Sequence, residues 1–171
     1  FINHSSYQGR LKENTQLGAE LIGLDSIEAD AEMIAMVVDG LKKTGLNEFQ
    51  VSIGHVDFIQ GLMNAADLQE AESREVRTLI TNRNFFGVEE LLDSKNVKES
   101  VKEAFSILPE LVGGPDVLEE ALKVAPDLNA RLGVTRLQQI YRLLTLYGAE
   151  DHVTFDLSMS GSYGYYTGVI F

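Results

Sequence analysis

The chain has 171 residues, and its 14 Lys and Arg against 26 Asp and Glu leave a formal net charge of −12. Nucleic acid and anionic lipid repel a protein of this sign, and no basic run is long enough to reverse the repulsion, which argues against both as partners. With 44% apolar and 23% charged residues, we expect one globular domain with one core. The absence of cysteine excludes disulfides, thiolate metal sites and cysteine nucleophiles.

The ends of the chain also carry information. No apolar run approaches the ~20 residues of a membrane span, and the N-terminus lacks the basic-then-apolar layout of a secretion signal. We therefore expect a soluble, cytoplasmic protein. The chain begins with Phe1 instead of Met, and residues 168–171 look like the middle of a strand. Both features predict that the sequence is a fragment of a longer polypeptide.

The first predicted element is a strand over residues 15–23, where apolar and polar side chains alternate. One face would pack against the core. The other face carries the amide of Gln16 and the carboxylate of Glu20 with Gly18 between them, so a ligand could approach the backbone while two polar groups hold it. A solvated sheet face produces the same alternation, and the pattern alone does not separate the two interpretations.

A helix and a second strand follow. Asp25 and Glu28 have the spacing of a capping box, and the apolar stripe behind them ends at Gly45. Residues 48–55 alternate again as a strand, which ends at His55. A lone histidine in that position is more often structural than a ligand or a base.

The middle of the chain, from about residue 56 to 148, is predicted to be mostly helical. Apolar spacing, with Pro and Gly as punctuation, indicates a long helix beginning near Thr135 and shorter ones over 56–65, 68–82, 86–93, 96–107 and 115–124. The many acidic side chains here are explained as solvated helix faces. The adjacent pairs Glu89-Glu90 and Glu119-Glu120 point in different directions on a helix and do not form a metal pair.

The chain closes with strand structure. Residues 153–158 alternate, a glycine- and serine-rich turn comes next, and residues 165–171 form a further strand, which together predict an antiparallel hairpin. The order of elements is that of an α+β fold built on an antiparallel sheet, with a helical insertion at about 56–150.

Standard catalytic motifs are missing from the sequence. It contains no phosphate-binding loop, dinucleotide fingerprint, zinc-protease helix or serine nucleophile elbow. The histidines His4, His55 and His152 are far apart and have no neighbouring ligand at metal spacing. We therefore expect neither a metal nor a cofactor.

Three stretches together resemble the class II catalytic core of the histidyl-tRNA synthetases. Q-G-R-L-K at 8–12 followed by T-Q-L-G-A-E at 15–20 looks like the motif 2 loop and strand, and A-D-A-E-M-I at 29–34 resembles the helix start after it. Y-Y-T-G-V-I-F at 165–171 is similar to the histidine-specific strand of that core. The resemblance implies that the chain is part of one such core domain, with an insertion at about 60–148 where the similarity is weak.

The same resemblance implies a histidine pocket. In the synthetases a Gln and a Glu of the motif 2 strand hold the amino acid, which places Gln16 and Glu20 in that pocket. Tyr166 matches the tyrosine that meets the imidazole, with Tyr165 beside it, and Arg10 matches a loop arginine that faces ATP phosphates. A carboxylate and a phenol can each hydrogen-bond one imidazole nitrogen, which selects histidine over apolar side chains.

The sequence departs from a synthetase where catalysis would need it. A synthetase carries R-G-L-D before the paired tyrosines, and its arginine stabilises charge during adenylate formation. Gly161, Ser162, Tyr163 and Gly164 stand there instead. Losing a preorganised cation at developing charge costs about 10²–10³-fold in rate. Lys12 also stands where an arginine is usual, which weakens bidentate phosphate contact.

These departures make the chain resemble the regulatory subunits of ATP phosphoribosyltransferase, which are synthetase paralogues without aminoacylation activity. The resemblance implies a non-enzymatic protein that joins a short catalytic subunit at the first step of histidine biosynthesis, self-associates as a dimer, and takes part in feedback inhibition by histidine. Two alternatives stay open. One is an active histidyl-tRNA synthetase with its arginine placed elsewhere, and the other is a helical interaction module with a coincidental Y-Y-T-G.

Overall fold

The computed structural model describes residues 13, 15–95, 97–159 and 167–171. Over these ranges the chain forms seven α-helices, four short strands and two single 3-10 turns at Leu108–Glu110 and Glu150–His152. The helices are α1 (Ile27–Lys43), α2 (Val56–Ala66), α3 (Glu70–Thr81), α4 (Phe85–Asp93), α5 (Glu99–Ser106), α6 (Val117–Val124) and α7 (Leu128–Leu146). The strands are β1 (Val51–His55), β2 (Val112–Gly113), β3 (Val153–Asp156) and β4 (Val169–Ile170).

The four strands form one mixed sheet in the order β2-β3-β1-β4. β1 and β3 run parallel, with Val51 opposite Val153, whereas β4 is antiparallel to β1 and β2 is antiparallel to β3. The predicted α+β class is confirmed, but the sheet is not antiparallel throughout. Parallel neighbours need a long crossover connection, which the chain from α2 to α7 supplies.

The predicted closing hairpin is wrong. β3 and β4 lie on opposite sides of β1, and each pairs with β1 instead of with the other. Alternation indicates that a segment is a strand, but tertiary contacts decide which strand lies beside it. The end of β3 and the start of β4 therefore lie on opposite sides of β1.

The strand predicted over residues 15–23 is also wrong. This stretch forms neither helix nor strand, Leu17 is fully exposed, and Ile22 is 83% exposed. An alternating segment becomes a strand only when its backbone pairs and its apolar face packs. Among the strand pairings of the described chain, none involves this segment.

Two helices begin at residues other than those predicted. α1 is capped by Ser26, whose hydroxyl accepts a hydrogen bond from the N–H of Ala29 at 3.2 Å, and not by Asp25. α7 begins a full two turns before Thr135, because Asp127 accepts from the N–H of Ala130 at 2.8 Å. Its first buried residues are small, which hides the apolar stripe in the sequence.

One continuous core joins the helices to the sheet. α7 packs against α1, α2, α6 and β1, so it is the central helix of the described chain. Ile34, Leu62, Ile140 and Phe155 have no exposed surface. Within the ranges described, no helix combines the length and the apolar character that crossing a membrane requires.

Candidate functional site

The structure describes two of the predicted site residues. Gln16 and Glu20 are exposed in the segment that leads to α1. Arg10, Tyr165 and Tyr166 lie outside the described residues, as do Lys12 and positions 161–164 that bear on catalysis. The grouping of these residues in one pocket therefore stays a prediction.

The segment that carries Gln16 and Glu20 is attached to the core where it enters α1. Arg136 of α7 donates from Nη2 to Asp25 Oδ1 and from Nε to Asp30 Oδ2, both at 2.7 Å. The side chain of Asp25 is 89% exposed and that of Asp30 only 26%, so the pair with Asp30 is the less screened of the two. These two hydrogen bonds of Arg136 hold the segment before α1 against α7 at the point where it enters the helix.

Gly54 makes room for the turn that follows β3. A Cβ at this position would lie 2.7 Å from the carbonyl oxygen of Asp156 and 2.9 Å from Cβ of Met159. The N–H of Met159 donates to that carbonyl at 3.3 Å, which closes a turn against the strand. On the other side of β1, the N–H of Val56 donates to the carbonyl of Gly168 at 2.9 Å. Residues 156–159 and Gly168 are thus both held close to the end of β1.

A buried carboxylate stabilises the turn that follows β3. Asp156 is 3% exposed, and its Oδ1 accepts from the N–H of Ser158 at 3.0 Å and from its hydroxyl at 2.6 Å. Its Oδ2 accepts from Nη2 of Arg83, while Nη1 donates to the Ser158 hydroxyl at 2.7 Å. We call Arg83, Asp156 and Ser158 the arginine–aspartate cluster. Sequence reasoning missed it, since Arg83 stands in a helix-to-helix turn far from the strand.

His55 has a structural role, as its position at the end of a strand suggested. It is 4% exposed and caps α2, because its Nδ1 accepts from the N–H of Asp57 at 3.3 Å. An accepting Nδ1 carries no proton, so the ring is neutral in this arrangement. The ring also lies against α7, where a Cβ added to Gly133 would be 2.6 Å from Nδ1.

Stability is expected to fall at acid pH because of His55. Desolvation lowers its pKa below the ordinary 6.5, and Arg136 acts in the same direction while Asp57 and Asp30 oppose it. The unfolded chain then binds a proton at His55 more readily than the folded chain does. The stabilisation that the neutral ring provides is therefore complete above pH 6.5, and it is lost as pH falls through the folded pKa. Between about pH 7 and pH 5, the free energy of unfolding measured by urea denaturation should fall more steeply for the parent than for His55→Asn, which keeps an acceptor for the helix cap. If the free energy of unfolding fell equally with pH in both proteins, His55 would not be the cause of the loss of stability.

A separate open groove lies at the opposite end of the sheet. Its volume is about 490 Å³, and it is lined by residues 47–50, Asp151 and His152, which precede β1 and β3. The ring of His152 stacks on the ring of Phe49, with the two centroids 4.4 Å apart, so one face of this histidine is covered by an aromatic side chain. Across the part of the chain the structure describes, no three His, Asp or Glu side chains are close enough together to hold a metal ion.

Comparison with known proteins places the chain in a family. It matches the histidyl-tRNA synthetase family profile over residues 2–171. The ATP phosphoribosyltransferase regulatory subunit of Acetivibrio thermocellus is 40% identical over 163 residues, which are 95% of this chain and 39% of that protein. The Geobacter sulfurreducens regulatory subunit is 38% identical over 171 residues, 99% of this chain and 39% of that protein.

A solved structure agrees with the sequence comparison. The ATP phosphoribosyltransferase regulatory subunit/histidyl-tRNA synthetase of Bacillus halodurans superposes with a TM-score of 0.79 at 32% identity, over 86% of this chain and 39% of that chain. The chain spans about two fifths of the length of these relatives. Since the profile covers nearly every residue and the mixed sheet with its helices superposes as well, the chain belongs to the histidyl-tRNA synthetase family.

Proposed function

We propose that the protein is the regulatory subunit of an ATP phosphoribosyltransferase, a member of the family that binds histidine and has no catalysis of its own. The observation that carries the proposal is the 38–40% identity to such regulatory subunits over 95–99% of the chain. A regulatory subunit acts through another protein. The proposed partners are therefore the short catalytic subunit of the transferase and a second copy of this chain.

The residues before the paired tyrosines support a binder over a catalyst. Where a synthetase carries R-G-L-D, residues 161–164 are glycine, serine, tyrosine and glycine, none of which supplies a cation. Adenylate formation without that cation would be slowed by about 10²–10³-fold. The net charge of −12 agrees, because a tRNA ligand needs a basic surface.

The proposed histidine pocket combines Gln16 and Glu20 with Tyr165 and Tyr166, and Arg10 is the candidate phosphate contact. The carboxylate and a phenol would each pair with one imidazole nitrogen, and those polar groups would be left unpaired by an apolar amino acid. Histidine can regulate the transferase only by binding one state of the assembly more tightly than another, with a coupling of typically about 1–3 kcal/mol.

Calorimetry with free histidine tests the pocket. The full-length protein should bind histidine, and Glu20→Ala should weaken binding by about tenfold or more, since a desolvated polar partner is lost. Glu32→Ala is the matched control, because Glu32 is an exposed glutamate on α1, and it should bind like the parent. Equal affinity for Glu20→Ala and the parent would contradict the pocket.

Two activity measurements separate the proposal from an active synthetase. Adding the protein to a short catalytic subunit should raise the rate of ATP phosphoribosyl transfer. Histidine-dependent exchange of pyrophosphate into ATP should be absent, and robust exchange would favour the synthetase instead.

A further inference from the structure

We propose that the exposed face of helix α7 is the surface on which a second copy of this chain docks, with the two α7 helices antiparallel about a twofold axis. The inference rests on the proposed function, because it names the surface for the self-association proposed above. Three features of the described chain carry it: a stripe of exposed leucines, a local charge opposite in sign to that of the protein, and an acidic flank beside the helix.

The side of α7 that is turned away from the core carries large apolar side chains. Leu128, Leu132 and Leu146 are 69%, 57% and 82% exposed. With about 3.6 residues per turn, positions 4 or 18 residues apart lie on nearly the same side of a helix, so these leucines form one stripe. Thr135 and Gln139 are exposed between them. Large apolar side chains aligned on one helix face are typical of a contact surface, whereas a solvated face is polar.

The charge of α7 is opposite to that of the whole protein. The helix contains three arginines and no acidic residue, in a chain of net charge −12. Arg136 is paired to two carboxylates at the start of α1, whereas Arg131 and Arg142 hold no carboxylate among the ion pairs described. Two copies of an acidic protein repel each other over most of their surfaces, and this repulsion is weakest where the surface is basic. The exposed face of α7 therefore favours the approach of a second copy.

An acidic flank beside α7 supplies the opposite charge. α6 begins next to the second half of α7, where Asp116 and Glu119 line a hollow of about 160 Å³ together with Arg142. Both carboxylates belong to exposed residues. The ion pair described on α6 joins Lys123 to Glu120 instead, so the carboxylates of the flank are available to a cation from another molecule.

A twofold axis makes these features complementary. In an antiparallel pair with Leu128 opposite Leu146 of the second copy, Arg131 comes opposite residue 143, beside the acidic flank of that copy. Arg131 and Arg142 are separated by about three helical turns, so both lie on the side of α7 that faces α6. A parallel pair would place each arginine opposite its own copy, where like charges repel. The charges therefore favour the antiparallel pair.

The mass of the assembly is the first readout. In sedimentation velocity on the full-length protein at micromolar concentration, Leu132→Asp should halve the mass of the assembly that the parent forms. Each substitution acts twice in a twofold interface, so a tenfold loss at each contact weakens association by about a hundredfold. Phe86→Asp is the matched control and should sediment like the parent, because Phe86 is 70% exposed on α4, which packs against α3 and α5.

Charge reversal separates a docking surface from an effect on folding. Arg131→Glu should weaken association by about tenfold, since it places like charges against the acidic flank of the second copy. Adding Glu119→Arg to the same chain should restore most of the loss, because the two charges are then exchanged across the interface. A merely structural role of Arg131 would give no such rescue, and this pair of variants keeps the test valid if Leu132→Asp folds poorly.

The outcomes separate the docking surface from the proposed function. Parent-like assembly of Leu132→Asp, or failure of Glu119→Arg to rescue Arg131→Glu, would overturn the inference and leave the proposed self-association standing. A monomeric parent would overturn the self-association, and the inference with it. Histidine binding and stimulation of the catalytic subunit are measured by calorimetry and by transferase activity, so neither result decides them.

Discussion

Gly133→Ala is expected to lower the free energy of unfolding by about 2 kcal/mol, the cost of overpacking a filled core. Alanine is the better helix former by about 1 kcal/mol, so helix propensity alone predicts the opposite sign. The added Cβ would lie 2.6 Å from Nδ1, 2.9 Å from Cγ and 3.0 Å from Cε1 of His55. Because that ring is buried and caps α2, it has little freedom to move away.

Gly40→Ala is the matched substitution with the opposite expected sign. Gly40 lies on the exposed face of α1, and a Cβ there would meet nothing within 4 Å. Its replacement should raise the free energy of unfolding by about 0.5–1 kcal/mol through helix propensity. Urea denaturation followed by circular dichroism measures both variants. A stabilising Gly133→Ala would show that the His55 ring is not confined by α7.

The helices can be predicted because each carries its own signal. Amphipathic spacing and punctuating glycines and prolines give a helix a local signature, and α2, predicted over 56–65, is found at Val56–Ala66. The start of α7 escapes prediction for an equally local reason. Ala130 and Gly133 are its first buried residues, and small side chains do not stand out as an apolar stripe.

Strand pairing cannot be predicted in the same way. The segment over 15–23 has the alternation of a strand, yet Leu17 is fully exposed and finds no partner in the described sheet. β3 and β4 are neighbours in sequence, and that proximity alone suggests a hairpin. The strand that separates them, β1, comes about a hundred residues earlier, and no local pattern reports that insertion.

The same distinction holds for the site. The resemblance to the family depends on short motifs, such as the Y-Y-T-G strand. The residues of each motif are adjacent in the sequence, so the motif can be recognised from one sequence alone. The arginine–aspartate cluster joins residues 73 and 75 positions apart, and Asp156 in the sequence looks like the polar face of a half-exposed strand. Only the fold shows that this carboxylate is buried and therefore needs a cation.

Asp156→Ala is expected to lower the free energy of unfolding by about 3 kcal/mol, at the lower end of the 3–5 kcal/mol that accompanies the loss of one partner of a buried ion pair. The substitution leaves the N–H of Ser158 without an acceptor in a buried position. Water can hydrate the released guanidinium in part, since the side chain of Arg83 is 53% exposed, which is why the lower end applies. Asp156→Asn keeps an acceptor oxygen but loses the charge, so about half of that loss is expected.

The control for Asp156 is an exposed aspartate that also holds a cation. Asp39 pairs with Lys43 at 2.6 Å, but the two side chains are 61% and 75% exposed, so Asp39→Ala should change the free energy of unfolding by no more than about 0.5 kcal/mol. Urea denaturation of the three variants beside the parent gives the comparison. If Asp156→Ala lowered the free energy of unfolding no more than Asp39→Ala, burial would not strengthen the ion pair, and the arginine–aspartate cluster could not hold the turn after β3. A large loss for Asp156→Ala with a small one for Asp39→Ala would show that the end of β3 depends on the buried carboxylate of Asp156 and its partners.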